Sequence, residues 1–253
     1  MAAEAESRQF EGWDFAYLEG RLTEELCPWD YRAIVAELLL NTESLLDLGT
    51  GGGELLASLR PLPHLTLATE GYRPNLPVAK RTLNPLGVQV VETYCDDNER
   101  LPQRGALPFR DDSIGLVIDR HESFIAKEVS RVLEPFGCFV TQQVGGENYP
   151  ELNSALGVAE APTRPGWNLR EAVRQIEDAG LVVSDSREAR LEAWFSDVGA
   201  VIYYLRAVPW QIPNFSVEKY RAKLRELDQT IRQDGRFRVT FPRFLVQATK
   251  RRS

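Results

Sequence analysis

Between positions 47 and 71 the sequence sets carboxylates and glycines at spacings suited to holding a nucleotide-like ligand: Asp47-x-Gly49-x-Gly51-x-Gly53, then Glu70-Gly71. Glycine has no Cβ, so Gly49, Gly51 and Gly53 can adopt positive φ and leave the backbone open to close approach. A helix starting directly after such a turn aims its unpaired N–H groups at the same place. Glu70 follows Asp47 by about twenty residues, the separation at which an acid at a strand end reaches the vicinal hydroxyls of a ribose. Glycine loops also make ordinary tight turns, and Glu70 alone would pass for surface charge. The two features at this distance point to a nucleotide.

The frame that starts at Gly49 puts Glu54 where a diphosphate-binding Gly-x-Gly-x-x-Gly turn needs its third glycine. A carboxylate there repels a diphosphate, so the ligand that fits is one without phosphates. Two more groups of side chains could do chemistry. Asp96 and Asp97 follow an apolar, β-branched run. Arg120, His121 and Glu122 follow another such run. Histidine titrates near neutrality, which makes His121 the candidate general base, with its charged neighbours able to adjust it. A histidine at a strand end also suits a purely supporting bond to backbone, or the orientation of a bound ligand.

These groups need elements to hold them. The apolar stretch from Ser44 reads as a strand entering the glycine turn, and residues 55–60 as the start of a helix. Residues 65–70, 88–94, 113–119 and 138–144 read as further strands, with helical patterns at 31–40 and 168–180. Pro28 and Asp30 suit the start of the first of these helices, and Gly180 the end of the second. Residues 181–184 read as a sixth strand, 196–209 and 216–234 as helices, and 237–248 as a closing strand. Such strand ends border the ligand crevice of an open parallel sheet. Residues 9–31, rich in aromatics (Trp13, Phe15, Tyr17, Trp29, Tyr31), and 145–167, rich in Gly and Pro, are candidate covers for it. Rings in the first of these segments serve equally well as packing against the sheet.

The Asp47-to-Gly53 pattern resembles the first motif of the class I S-adenosylmethionine (SAM) dependent methyltransferases. Asp111 to Asp119 is similar to that family's fourth strand, with Gly115 where an Asp is customary, and Glu128 to Gly137 to the helix and turn before its fifth, with Phe136 in place of Gly. The acid at 96 or 97 corresponds to the family's adenine ligand. Leu101-Pro102 and Leu107-Pro108 match the element after it equally well, so both acids stay candidates. The resemblance implies an α/β fold with a doubly wound seven-stranded sheet, parallel except for the last strand. It also implies one domain with an N-terminal helical lid (1–43), a SAM-binding half (44–145) and a substrate-side half (146–253). The implied cofactor is SAM, leaving as S-adenosylhomocysteine, with Asp47, Gly49, Gly51, Gly53, Glu70, Gly71 and Asp96 or Asp97 around it. The expected activity is methyl transfer to a small, partly apolar acceptor. SAM binding without turnover and a nicotinamide-dependent oxidoreductase are the alternatives.

Composition narrows the classes further. The 253 residues are 43% hydrophobic and 26% charged, enough for one large domain with a full core. A net charge of −7 argues against a general nucleic-acid or membrane-surface binder. The segment from Val217 onward nevertheless carries +7, leaving −14 for the rest, which reads as a solvated helix face and a frayed 250–252 tail. Three dispersed cysteines and two histidines suggest neither a disulfide framework nor a metal site. No run approaches the roughly 18 apolar residues of a membrane span, and the expected location is cytoplasmic.

Overall fold

Strand β2 (Ser44–Leu48) is buried along its whole length, as a central strand covered on both faces must be. In the computed structural model, which describes Glu4 and residues 15–93, 105–158 and 166–252, it lies within an eight-stranded mixed sheet. The others are β1 (Leu22–Glu24), β3 (Leu65–Glu70), β4 (Gln89–Glu92), β5 (Ile114–Arg120), β6 (Leu133–Val144), β7 (Leu181–Phe195) and β8 (Phe237–Lys250). The order is β1-β7-β8-β6-β5-β2-β3-β4.

Parallel registers join β2 to β3 and β5, β3 to β4, and β5 to β6. β8 runs the other way. Gly145, just past the end of β6, donates to Pro242 O, while Lys250 Nζ at the far end of β8 donates to Leu133 O at the start of β6. Ser184 likewise reaches Gln247 O, and Arg238 pairs with Glu192 near the opposite ends of β7 and β8. Seven strands therefore have the expected arrangement, and the expected count of seven is corrected to eight. β7 continues to Phe195, well past residue 184, and its edge pairs antiparallel with β1 through Leu22↔Phe195 and Glu24↔Ala193. Pairing is what a long exposed edge requires. β1 also means that the segment expected as a helical lid is partly strand: residues 15–28 hold a 3-10 turn, Ala16–Leu18, and β1.

By its contacts the chain divides into two units. The first comprises Trp29–Gln143, Leu169–Glu188 and Phe244–Ser253. Helix α1 (Tyr31–Leu39) opens with Asp30 accepting from Ala33 N, an N-cap legible in the sequence. Helices α2 (Glu54–Ser58), α3 (Leu76–Leu83) and α4 (Ala126–Val132) follow β2, β3 and β5, and Leu46, Leu56, Leu83, Val117, Val129 and Phe139 are fully buried between the layers. Phe136, which stands where the family has glycine, takes φ 68, so the turn keeps its left-handed backbone at some strain. The tail is not frayed at Lys250, whose ammonium donates to Asp112, Ser130 O and Leu133 O.

The second unit comprises the described residues of Met1–Pro28, with Val144–Asn168 and Ala189–Arg243. Its core gathers Tyr149, Phe195, Tyr204 and Phe241, with rings 5.1 to 5.9 Å apart in tilted and edge-on pairs. Helix α5 (Val198–Ala207) is buried all round except at Arg206. Helix α6 (Arg221–Asp234) buries only Leu224, Leu227 and Ile231, so its other face is solvated, but with four bases against three acids it holds little of the basic excess, most of which lies from Arg236 onward. Among the described residues no helix is long and apolar enough to cross a membrane.

Candidate functional site at the strand ends

The turn after β2 is built on left-handed glycines: Gly49 and Gly51 at φ 62 and Gly53 at φ 87. Gly51 N donates to Glu70 Oε2 at 2.7 Å, Gly49 N to Thr69 Oγ1 at 3.1 Å, and Gly53 N to Thr50 O at 3.0 Å. The missing side chains also make room within the protein. A Cβ on Gly49 would stand 2.3 Å from Glu122 Cγ, one on Gly52 2.1 Å from the Glu54 carboxylate, and one on Gly53 2.7 Å from Leu83 Cγ. Gly53 thus sets the approach of α2 to α3, which is a packing role.

Glu70 ends β3 almost wholly buried, with Oε1 accepting from Tyr72 N at 2.6 Å and Oε2 from Gly51 N. Two backbone amides therefore fix its carboxylate beside the turn. Burial raises its pKa, opposed by those amides and by that of the buried Gly71. Asp47, one strand over, is 4% exposed, and burial, aided by the charge of Glu70, pushes it up to about 7. The Thr50 hydroxyl and both amide atoms of Asn75 are buried without a well-formed hydrogen bond, although Thr50 lies close enough to Asp47, and Asn75 to Glu70, to lower the pKa of each. Each such group costs about 1–3 kcal/mol, which a polar ligand or ordered water would offset.

Where β5 and β6 end side by side lies a second polar cluster. Asp119 is fully buried, and its carboxylate accepts from Glu122 N at 3.0 Å and from Gln143 Nε2 at 3.1 Å. Its pKa lies well above the carboxylate range, first through burial and then through the charges of Glu122 and Asp47. Tyr31 Oη, also buried, donates to Asp119 O at 3.0 Å. Trp29 Nε1 donates to Gln142 Oε1 at 2.8 Å, and Gln142 Nε2 meets His121 Nε2 at 3.0 Å. These two rings are thus packed against strand ends. Tyr17 is packed as well, 4.7 Å from Tyr203 with Arg21 over its face.

Asp47, Gly49, Gly51, Glu70 and Gly71 therefore come together at the ends of β2 and β3, with His121 just past the end of β5. Asp96, Asp97, Trp13 and Leu101-Pro102 lie outside the described residues. Sequence reasoning passed over Asp119, Gln142, Gln143, Thr50 and Asn75. For the glutamines a signal existed: Gln142-Gln143 interrupts a strand that should read as continuously apolar. Among the described residues no group of three or more His, Cys, Asp or Glu could hold a metal ion.

No protein-family model matches this sequence, and no curated protein matches it. Solved structures do resemble it. One, from Bacillus halodurans and provisionally named a methyltransferase, superposes with a TM-score of 0.61 at 16% identity, over 88% of this chain and 99% of the other. The YcgJ protein of Bacillus subtilis gives 0.55 at 17% identity, over 88% and 98%. The cyclase SpnF gives 0.54 at 15% identity, over 88% and 81%. At these identities the likeness is one of fold, and the fold is methyltransferase-like.

Proposed function

We propose that this chain is a SAM-dependent methyltransferase that takes its cofactor at the ends of β2, β3 and β5. The observation that carries the reading is the set of buried carboxylates Asp47, Glu70 and Asp119 gathered around a glycine turn, each with its pKa raised by burial. A phosphate-bearing nucleotide would add negative charge to such a pocket, whereas the sulfonium and ammonium of SAM would relieve it. The weakly satisfied Thr50 and Asn75 groups beside Asp47 and Glu70 are consistent with a polar ligand at this place. Glu70, already oriented by Gly51 and Tyr72, is the ribose ligand in this reading. The Gly49–Gly51 turn and Asp47 border the amino-acid end, and Asp96 or Asp97 is the adenine ligand.

When bound, SAM supplies an already activated methyl group. The protein's part is to hold, align and dry the reacting groups. The acceptor in this reading is a small, partly apolar molecule. It is supported by the net charge of −7, which disfavours nucleic acid, and less by the aromatics, since Tyr17 and Tyr203 are engaged with each other. A cytoplasmic location completes the reading. A second reading, SAM binding without methyl turnover, is favoured by the presence of a cyclase among the structures that share this fold.

Equilibrium binding decides the cofactor: SAM and S-adenosylhomocysteine should bind and NAD(H) should not, and the reverse result would end the proposal. A metabolite screen with methyl-labelled SAM then separates turnover from binding alone. Residues 9–31 and 145–167 are assigned here to covers of the bound cofactor. Hydrogen exchange in 15–31 and 145–158 should slow with S-adenosylhomocysteine, and unchanged exchange would make them fixed scaffold.

A further inference from the structure

Three side chains in the first unit fix one another's hydrogen positions. An indole nitrogen can only donate, so the oxygen of the Gln142 amide must face Trp29 Nε1, 2.8 Å away. The other end of that amide, Nε2, can only donate, and it lies 3.0 Å from His121 Nε2. A neutral imidazole has one accepting and one donating nitrogen, so His121 Nε2 is the acceptor and the proton resides on Nδ1. The backbone repeats the tie. His121 sits at φ 67, unusual for a residue with a side chain, and is held there by its own N–H donating to Gln142 O at 2.8 Å. Parallel pairing of Arg120 with Gln142 puts the two residues in register.

We propose that Trp29 and Gln142 are positioning residues that lock His121 as the neutral Nδ1–H tautomer, its Nε2 lone pair engaged by Gln142, so that it does not serve as a general base. A base must offer a lone pair. The one on Nε2 is engaged by Gln142, and Nδ1 already carries the proton. This replaces the base role expected from the sequence. It follows that the methyl acceptor is an atom that is already nucleophilic, or one that loses its proton elsewhere. That consequence rests on the proposed function, but the tautomer does not.

The test is long-range proton–nitrogen correlation NMR on the full-length protein with labelled histidine, at neutral pH and without cofactor. There are only two histidines, and a His64→Gln variant assigns the signals. His121 should show a protonated Nδ1 and an unprotonated Nε2. Gln142→Glu puts an accepting carboxylate opposite Nε2 and should move the proton there. Trp29→Phe frees the amide to flip and should give a mixture of tautomers. A wild-type His121 protonated on Nε2, or the same tautomer in wild type and both variants, would overturn the proposal. Should Gln142→Glu not fold, the wild-type and Trp29→Phe spectra decide alone. With no cofactor in the tube, the outcome is independent of whether SAM is the ligand.

Discussion

The two units hold their acids in opposite ways, buried at the strand ends of the first and half-buried beside donors in the second. At the strand ends of the first, Asp47, Glu70 and Asp119 are pushed up, with burial the leading cause in each. In the second, burial also works to raise Asp197 and Glu151, yet both end below their ordinary values. Arg21 holds Asp197 through a bond from Nε at 2.8 Å, and the Thr240 hydroxyl and amide hold Glu151 at 2.7 and 2.8 Å. The first unit can pair an acid when the acid serves the scaffold, for Arg131 holds Glu128 low. Acids left with raised pKa values at the strand ends thus diminish stability at neutral pH, and such sites are where a ligand has free energy to gain.

The largest effect that could break this contrast is the pH dependence of stability. A group whose folded pKa is raised stabilises the fold below its unfolded pKa, and that contribution is lost as pH rises through the folded value. For Asp47, with a folded value of about 7 against 3.8, the loss between pH 4 and pH 8 approaches 4 kcal/mol at about 1.4 kcal/mol per unit. Asp197, lowered, has the opposite sign: its contribution is present above pH 4 and disappears as pH falls through its folded value. Urea unfolding across this range should show Asp47→Asn gaining on wild type as pH rises. Asp197→Asn should lie below wild type by a near-constant margin over the same range and close that gap only below about pH 4. Parallel curves for the two variants would erase the distinction between the units.

Next in size is the loss of Glu70. Glu70→Ala removes the acceptor of Gly51 N and Tyr72 N as well as the proposed ribose ligand. It should weaken SAM binding by about 1.5–3 kcal/mol, the range for hydrogen bonds to a charged group. Unchanged affinity by calorimetry would make Glu70 a turn anchor only.

Much of this was legible in the sequence where a local rule operates. The glycine turn, the Asp30 cap, the Gly180 stop and the parallel strands around β2 follow from backbone freedom, capping and apolar runs. Strand β1 did not, because three residues with no alternation form a strand only when a long edge such as that of β7 is present to pair with. Asp119 was read only as the end of a strand, since nothing local tells a buried aspartate from an exposed one. Its burial comes from Gln143 on β6 and Tyr31 on α1, whose meeting with β5 is a tertiary fact. Trp29 and Tyr31 could by sequence face a ligand or pack against the sheet; their polar atoms bond strand ends, and only the fold decides between those uses.

The smallest effect is also the sharpest probe of why the strand-end acids are left raised. With a pKa of about 7, Asp47 in the free protein is about half protonated at pH 7. A bound sulfonium and ammonium favour the ionised form, so SAM binding should release protons, up to about half of one at pH 7. The share from Asp47 should dwindle above pH 8, where it is already ionised, and any release left there comes from the other raised acids. Calorimetry in buffers of different ionisation enthalpy counts these protons directly. Asp47→Asn should bind SAM more weakly and release fewer, whereas Asp197→Asn, whose parent acid is ionised throughout this range, should leave the count unchanged. If wild type released no protons between pH 6 and 8, Asp47 would have to be ionised before the ligand arrives. The acids of the two units would then differ in their neighbours but not in their charge.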